Sequence, residues 1–122
     1  MMGNKKTLVI GASENPARYS NKAIRALRFH NHDVIALAKR SGKVEDVVIQ
    51  TEFPINEKVD TVSMYLGPNR QEEYYNQLVN LKPNRVIFNP GTENDELAAL
   101  LTKNNIAVEE ACTLVLLSIG AY

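Results

Sequence analysis

Leu8-Val9-Ile10-Gly11-Ala12-Ser13, with Pro16, Arg18 and Ser20 close behind, reads as an apolar strand running into a tight glycine turn and then a helix start. Mononucleotide-binding α/β folds use that layout to seat a phosphate against backbone N–H groups and the positive end of a helix. The stretch therefore predicts both a parallel-sheet fold and a ligand site. Thr7 to Ile10 shows no polar face, as expected of a central strand covered on both sides.

Outward from this strand, apolar runs alternate with helical patterns along the whole chain, which predicts βαβ units. Ser20 is placed to cap a helix, Tyr19 and Ile24 to staple it, and Ala23, Ile24 and Leu27 to bury one stripe of it. Asn31 is the expected left-handed stop. Val34 to Ala38 forms a second strand, followed by the basic stretch Lys39-Arg40-Ser41-Gly42-Lys43. Val47 to Ile49 reads equally as a short strand or an apolar patch. Val59 to Leu66 is the next strand, stopped by Gly67-Pro68, and Asn69 with Glu72 supplies cap and N3 carboxylate for a helix carrying Tyr74, Tyr75, Leu78 and Leu81. Lys82-Pro83-Asn84 ends that helix. Arg85 to Phe88 makes a strand, Asn89-Pro90-Gly91 a turn, and Thr92 with Asp95 a capping box ahead of Leu97, Leu100 and Leu101. Ile106 to Val108 is a last short strand and Cys112 to Ile119 a small closing helix. The expected architecture is a Rossmann-like, doubly wound open α/β sheet. It has about five parallel strands in the order 3-2-1-4-5, helices on both faces, and one domain spanning residues 1–122.

Composition narrows the function. Lys and Arg total 14 and Asp and Glu total 14, so no global field favours nucleic acid or an anionic membrane, and any basic site is local. Cys112 is the only cysteine, which excludes an internal disulfide and a thiolate metal cluster and fits a reducing cytoplasm. The start Met1-Met2-Gly3-Asn4-Lys5-Lys6 reaches an apolar run only at Leu8, and Gly11 breaks it too soon for the core of a signal peptide. The apolar stretches, among them Val34 to Ala38, Leu97 to Leu101 and Leu114 to Leu117, are far short of the roughly 20 residues a bilayer span requires. The expectation is a soluble cytoplasmic protein with a small-molecule partner and neither nucleic acid nor membrane as partner.

Ligands of such sheets sit outside the carboxyl ends of the strands, where the strand order reverses beside the first strand. Gly11 to Ser20, Ala38 to Lys43, Leu66 to Asn69 and Asn89 to Thr92 converge there. One glycine stands in the first loop instead of the three of G-x-G-x-x-G, so the usual dinucleotide fingerprint is not reproduced. Gly11 permits the turn, the Ser13 hydroxyl can donate a hydrogen bond, and Arg18 offers a planar fork to a phosphate. The plainer reading is a strand-to-helix connection with a surface arginine. After the second strand an NAD site places an Asp or Glu on the ribose, whereas this chain has Ala38-Lys39-Arg40 and then Lys43. Those cations suit a ribose with an additional phosphate, at the 2′ position in NADP or the 3′ position in coenzyme A; the plainer reading is a solvated charged loop.

Catalytic groups are scarce. His30 and His32 fall at the edge away from the crevice and read as surface residues. Cys112 reads as a buried inert thiol whose ionisation Glu109 and Glu110 oppose. No paired carboxylates and no Ser/His/Asp arrangement can be assembled, and Tyr74 and Tyr75 read as helix packing.

Val9-Ile10-Gly11-Ala12-Ser13 with Pro16, Arg18 and Ser20, then Val59-Asp60-Thr61-Val62, then Asn89-Pro90-Gly91 with Asn94-Asp95-Glu96, and finally Cys112 carry a resemblance that spans nearly the whole chain. The chain resembles the small stand-alone CoA-binding proteins of bacteria, relatives of the N-terminal CoA-binding domain of the succinyl-CoA synthetase alpha subunit. The resemblance implies a module for CoA or an acyl-CoA, with Gly11, Ala12 and Ser13 near the diphosphate and basic residues after the second strand near the 3′-phospho-ADP end. It transfers no catalytic residue and no ligase activity. Lys39, Arg40 and Lys43 are assigned on charge, because similar proteins end this strand in a Val-Asn-Pro-like sequence. Gly67, Pro68, Asn89, Pro90 and Gly91 complete the candidate set. Two further readings stand beside this one: an NADP-binding reductase-like domain, and a regulatory or interaction subunit with a vestigial crevice. The latter would form a homo-oligomer through an exposed tyrosine helix or the last strand.

Overall fold

The computed structural model describes residues 3–122; Met1 and Met2, which open the stretch read for a leader, lie outside the described residues. The chain runs β1 (Thr7–Ile10), α1 (Tyr19–Phe29), β2 (Val34–Leu37), β3 (Gly42–Val44), β4 (Val47–Gln50) and β5 (Thr61–Met64), followed by two single 3₁₀ turns at Pro68–Arg70 and Glu72–Tyr74. It continues through α2 (Tyr75–Leu81), β6 (Arg85–Phe88), α3 (Asp95–Lys103), β7 (Ala107–Glu110) and α4 (Thr113–Ser118). One sheet holds all seven strands in the order β3-β4-β2-β1-β5-β6-β7.

β1 pairs in parallel with β2 on one side and β5 on the other, Thr7 standing opposite both Val34 and Thr61. All four of its residues are buried. Because strand side chains alternate, Leu8 and Ile10 join Val62, Met64, Val86 and Phe88 under α2 and α3, where Leu78, Leu97 and Leu101 meet them. Val9, Ala36 and Ile87 point the other way, to Ile24 and Leu27 of α1 and Leu117 of α4. Each fully buried Val, Leu, Ile, Met or Phe side chain among them contributes about 1.5 to 3 kcal/mol, so both faces of the central strand hold the layers together.

Strand count and order differ in detail from the expected five strands in the order 3-2-1-4-5: the inner run β4-β2-β1-β5-β6 has that order with Val47–Gln50 as the third strand, the segment that read equally as an apolar patch, and the sheet extends beyond it on each side. β7 adds a sixth parallel strand. β3 pairs antiparallel with β4, so part of the stretch expected as a basic loop is an edge strand. Val44 and Val47 are buried against the α1 side of the core, and Arg28 of α1 holds Asp46 in the intervening turn at 2.8 Å. Three residues between a charged loop and a turn carry too little periodicity to announce a strand; the pairing comes from tertiary contact.

Helix starts differ from expectation where a side chain found another partner. Ser20 lies inside α1, and Arg18 occupies the capping position. Asn69 caps nothing, because Gln71 is buried and its amide donates to the carbonyls of Leu66 at 2.9 Å and Thr92 at 2.8 Å, which breaks the segment into 3₁₀ turns before α2. The Thr92 hydroxyl donates to Asn89 O at 2.8 Å; Asn94 caps α3 instead, its side-chain oxygen accepting from Leu97 N. Asn31 takes the expected left-handed conformation, at φ 64°. Tyr74 is buried and Tyr75 half-buried, so α2 presents no exposed tyrosine face. Among the described residues no helix is long and apolar enough to cross a membrane.

His32 is a further correction, for it is wholly buried rather than on the surface. Its Nδ1 accepts from Lys5 N at 2.9 Å, and its ring lies 4.9 Å from that of Tyr122. The C-terminal edge of the sheet, at the opposite end of the strands, holds the crevice.

Candidate functional site

The loop after β1 is shaped by its own hydrogen bonds. Gly11 has φ +92°, and a Cβ there would come within 3.1 Å of the Tyr65 backbone, so both the turn and the close approach of the chain after β5 require glycine. Gly11 N and Ala12 N both donate to Leu37 O, at 2.9 and 3.1 Å. These two amides are therefore spent on β2, which corrects the expectation that they stand free for a diphosphate. Further on, Ser13 Oγ accepts from Asn15 N at 3.1 Å and Asn15 Oδ1 from Ala17 N at 2.9 Å. Asn21 Nδ2 donates back to Ser13 O at 2.9 Å, so the loop is tied to the first turn of α1.

Ser13 N has no partner among the described residues, and further free donors follow along the chain. The first bond of α1 runs from Lys22 N to Arg18 O at 3.2 Å, and the Arg18 side chain cannot accept a hydrogen bond from the helix end. The amides of Tyr19, Ser20 and Asn21 have no partner among the described residues, and the first turn carries no acidic side chain. An uncapped helix start with its positive dipole end is an anion-binding surface.

This helix end opens on a crevice of about 700 Å³ at the carboxyl edge of the sheet, lined by Gly11, Ala12, Ser13, Arg18 and Ser20 from the first loop, Lys39 and Arg40 from the end of β2, and Pro90 from the turn after β6. Pro16, Lys43, Gly67, Pro68, Asn89 and Gly91 do not line it. Pro16 is exposed beside it. Lys43 belongs to β3, and its backbone N–H donates to the Glu14 carboxylate at 2.9 Å. Gly67 and Pro68 open the 3₁₀ turn. Gly91 is an exposed turn residue at φ +93° whose N–H donates to Glu93. Asn89 is buried and clamps three elements: its amide donates to Ser63 Oγ and Met64 O, both at 2.9 Å, and its oxygen accepts from Thr113 N at 2.8 Å.

Tyr65, Arg70 and Glu73, which the sequence did not single out, also line the crevice, as do Tyr74, read as helix packing, and Thr92, read as a cap in a segment converging there. Arg70 and Glu73 follow the Gly67-Pro68 breaker, and that breaker was the one sequence signal for them. Lys39 is bonded to Glu73, and this pairing holds the ammonium above its usual range. Arg18, Arg40 and Arg70 have no carboxylate partner among the described residues. Tyr65 presents its ring while its hydroxyl is buried without a partner; burial pushes it up to about 12, so it stays protonated. Cys112 is half-buried at the start of α4 and outside the crevice lining.

Among solved structures, the chain is similar to a crystal structure of an uncharacterized protein at 44% identity and a TM-score of 0.96, over 99% of this chain and 100% of the other. A Thermus thermophilus protein, cell-free ID.343, shares the fold at a TM-score of 0.86 and 20% identity, over 98% and 91%. So does a hypothetical protein from Pyrococcus horikoshii OT3, at 0.83 and 24%, over 92% and 80%. No curated protein sequence matches. The family model described as a CoA binding domain matches residues 5–118, so it takes in all seven strands and the uncapped helix start with its arginine. The chain therefore belongs to the CoA-binding domain family.

Proposed function

We propose that the protein binds CoA or an acyl-CoA in this crevice as a cytoplasmic, non-catalytic module. The observation that carries the reading is the uncapped start of α1 beside Arg18, facing the crevice with no acidic residue in its first turn. The amides of Tyr19 and Ser20 with the Arg18 guanidinium would hold the diphosphate, one as oriented dipoles and the other as a charge-assisted fork. Lys39 and Arg40, at the end of β2, would take the phosphate on the ribose. Bound there, CoA supplies a thiol that carries acyl groups.

The non-catalytic part of the reading rests on the lining, which has no histidine, aspartate or cysteine. Glu14 is bonded to a backbone amide and Glu73 to Lys39, and the Tyr65 hydroxyl stays protonated. No free base stands against a nucleophile.

Isothermal titration of the whole chain with CoA, 3′-dephospho-CoA and NADPH tests the reading. The expected result is saturable binding of CoA, weaker binding of the dephospho form, and no comparable heat from NADPH. NADPH binding tighter than CoA would favour the reductase-like alternative. The absence of heat with all three at high protein concentration would overturn the ligand reading.

A further inference from the structure

We propose that Glu73 competes with the ligand for Lys39, and thereby sets how strongly the crevice favours a nucleotide bearing a ribose phosphate over one without it. The inference rests on the CoA reading and adds a residue that weakens recognition of one part of the ligand.

Lys39 stands two residues past the end of β2, where a ribose substituent is read in sheets of this topology. Its ammonium is bonded to the Glu73 carboxylate and lies 5.7 Å from the centre of the Tyr74 ring. The ring is fixed: Tyr74 is buried and stacks on Phe53 with ring centres 6.0 Å apart. The carboxylate is not, because Glu73 is exposed and makes no other hydrogen bond among the described residues. Lys39 is thus cradled on one side by a rigid aromatic face and on the other by a group that can leave.

The remaining charges of the crevice single this pair out. Arg18, Arg40 and Arg70 have no carboxylate partner among the described residues. Glu14, the other acidic residue of the lining, is held by Lys43 N, and its carboxyl group fills the space that a Cβ on residue 42 would occupy. Glu73 is therefore the carboxylate that neutralises a crevice cation. The side chains of Lys39 and Glu73 are 64% and 51% exposed, and a pair so solvated is weak enough to exchange. A ribose phosphate carries close to two charges and three acceptor oxygens against the single charge of a carboxylate, so it displaces Glu73 from Lys39. The freed carboxylate then remains beside the incoming anion. Glu73 opposes the phosphate twice, by occupying the lysine and by repelling the ligand; a ligand without that phosphate leaves Lys39 with Glu73 and meets only the weaker, screened repulsion between Glu73 and its diphosphate.

The test is titration of the unsubstituted chain and of Glu73→Gln, Lys39→Gln and the double variant with CoA and with 3′-dephospho-CoA. Gln keeps the size of Glu and an acceptor for the lysine but removes the charge. Glu73→Gln is expected to raise CoA affinity about two- to fivefold, the range of an exposed ion pair, and to raise that of 3′-dephospho-CoA distinctly less. The gain is expected to shrink in high salt, which screens exposed charges, and to be smaller when Lys39 is already Gln. An equal change for both ligands, or no change for CoA, overturns the proposal while the CoA reading stands on the binding of the unsubstituted chain. If the unsubstituted chain binds neither ligand, the reading falls and the proposal with it.

Discussion

Arg18 combines two roles that a residue at a helix start seldom has. Its backbone carbonyl accepts the first bond of α1, while its side chain leaves the helix amides uncovered and adds a charge beside them. A serine or aspartate at this position would satisfy one of those amides and close the site. Arg18→Ala is therefore expected to lower CoA affinity by about 1.5 to 3 kcal/mol, the range of a hydrogen bond to a charged group. Because Arg18 is exposed, stability should move by no more than about 0.5 kcal/mol. Titration calorimetry and urea unfolding on the same preparations check both halves, and a large loss of stability would make the residue structural. Gly11 and Arg18 were legible in the sequence because a glycine turn and a lone arginine before a helix are local signals. The partners of the Gly11 and Ala12 amides were not, because Leu37 reaches them only once β2 lies beside β1.

At the scale of elements, two of the helices that follow the carboxyl ends of parallel strands show opposite capping. α1 is open, whereas α3 is closed by Asn94, with Asp95 and Glu96 in its first turn. Asn94 also donates to Gln71 Oε1 at 3.0 Å and to the Tyr75 hydroxyl at 2.9 Å, so one side chain caps α3 and fastens the 3₁₀ segment that walls the crevice. Asn94→Ala is expected to cost about 0.5 to 2 kcal/mol from the lost cap, with further loss from the two severed bonds. Thr92→Ala removes one side-chain hydrogen bond, to Asn89 O, and a buried methyl group, and should cost less than Asn94→Ala, which removes three side-chain bonds. Urea unfolding of the two variants checks the order, and a larger loss for Thr92→Ala would restore threonine as the cap. Local sequence placed this helix start within two residues, but Asn94 and Thr92 are both good caps by type. The choice was made by Asn89, whose carbonyl engages Thr92.

For the whole molecule, the sheet has the crevice at the carboxyl ends of its strands and a polar knot at the opposite end. There the Lys5 ammonium donates to Tyr122 O at 2.6 Å, Thr7 and Tyr122 share a hydroxyl bond, and Arg85 lies 4.6 Å from the centre of the Tyr122 ring. His32 sits among them with its Nε2 unpartnered. Burial, followed by the nearby charges of His30, Lys5 and Arg85, pushes His32 below its ordinary 6.5, and Asp60 opposes this only in part. A group whose folded pKa is depressed favours the folded state above its unfolded value and destabilises it as pH falls toward the folded one, because the unfolded chain takes up the proton first. Unfolding free energy should therefore fall as pH drops below about 6.5. His32→Asn, which keeps an acceptor for Lys5 N but cannot be protonated, should flatten that slope between pH 7 and 5. Urea unfolding across this range checks it, and an unchanged slope would assign the dependence to other groups. What the sequence alone determined was the alternating pattern, the mainly parallel doubly wound sheet, the central β1 and the mouth at the carboxyl ends of its strands, since these follow from apolar periodicity and turn residues within a few positions of one another. The β3 edge strand, the burial of His32 and Asn89, the pairing of Lys39 with Glu73 and the shift of free amides from Gly11 to the start of α1 were decided by the tertiary structure. In each, a polar group or short segment had several acceptable local partners, and only the folded chain brought one within reach.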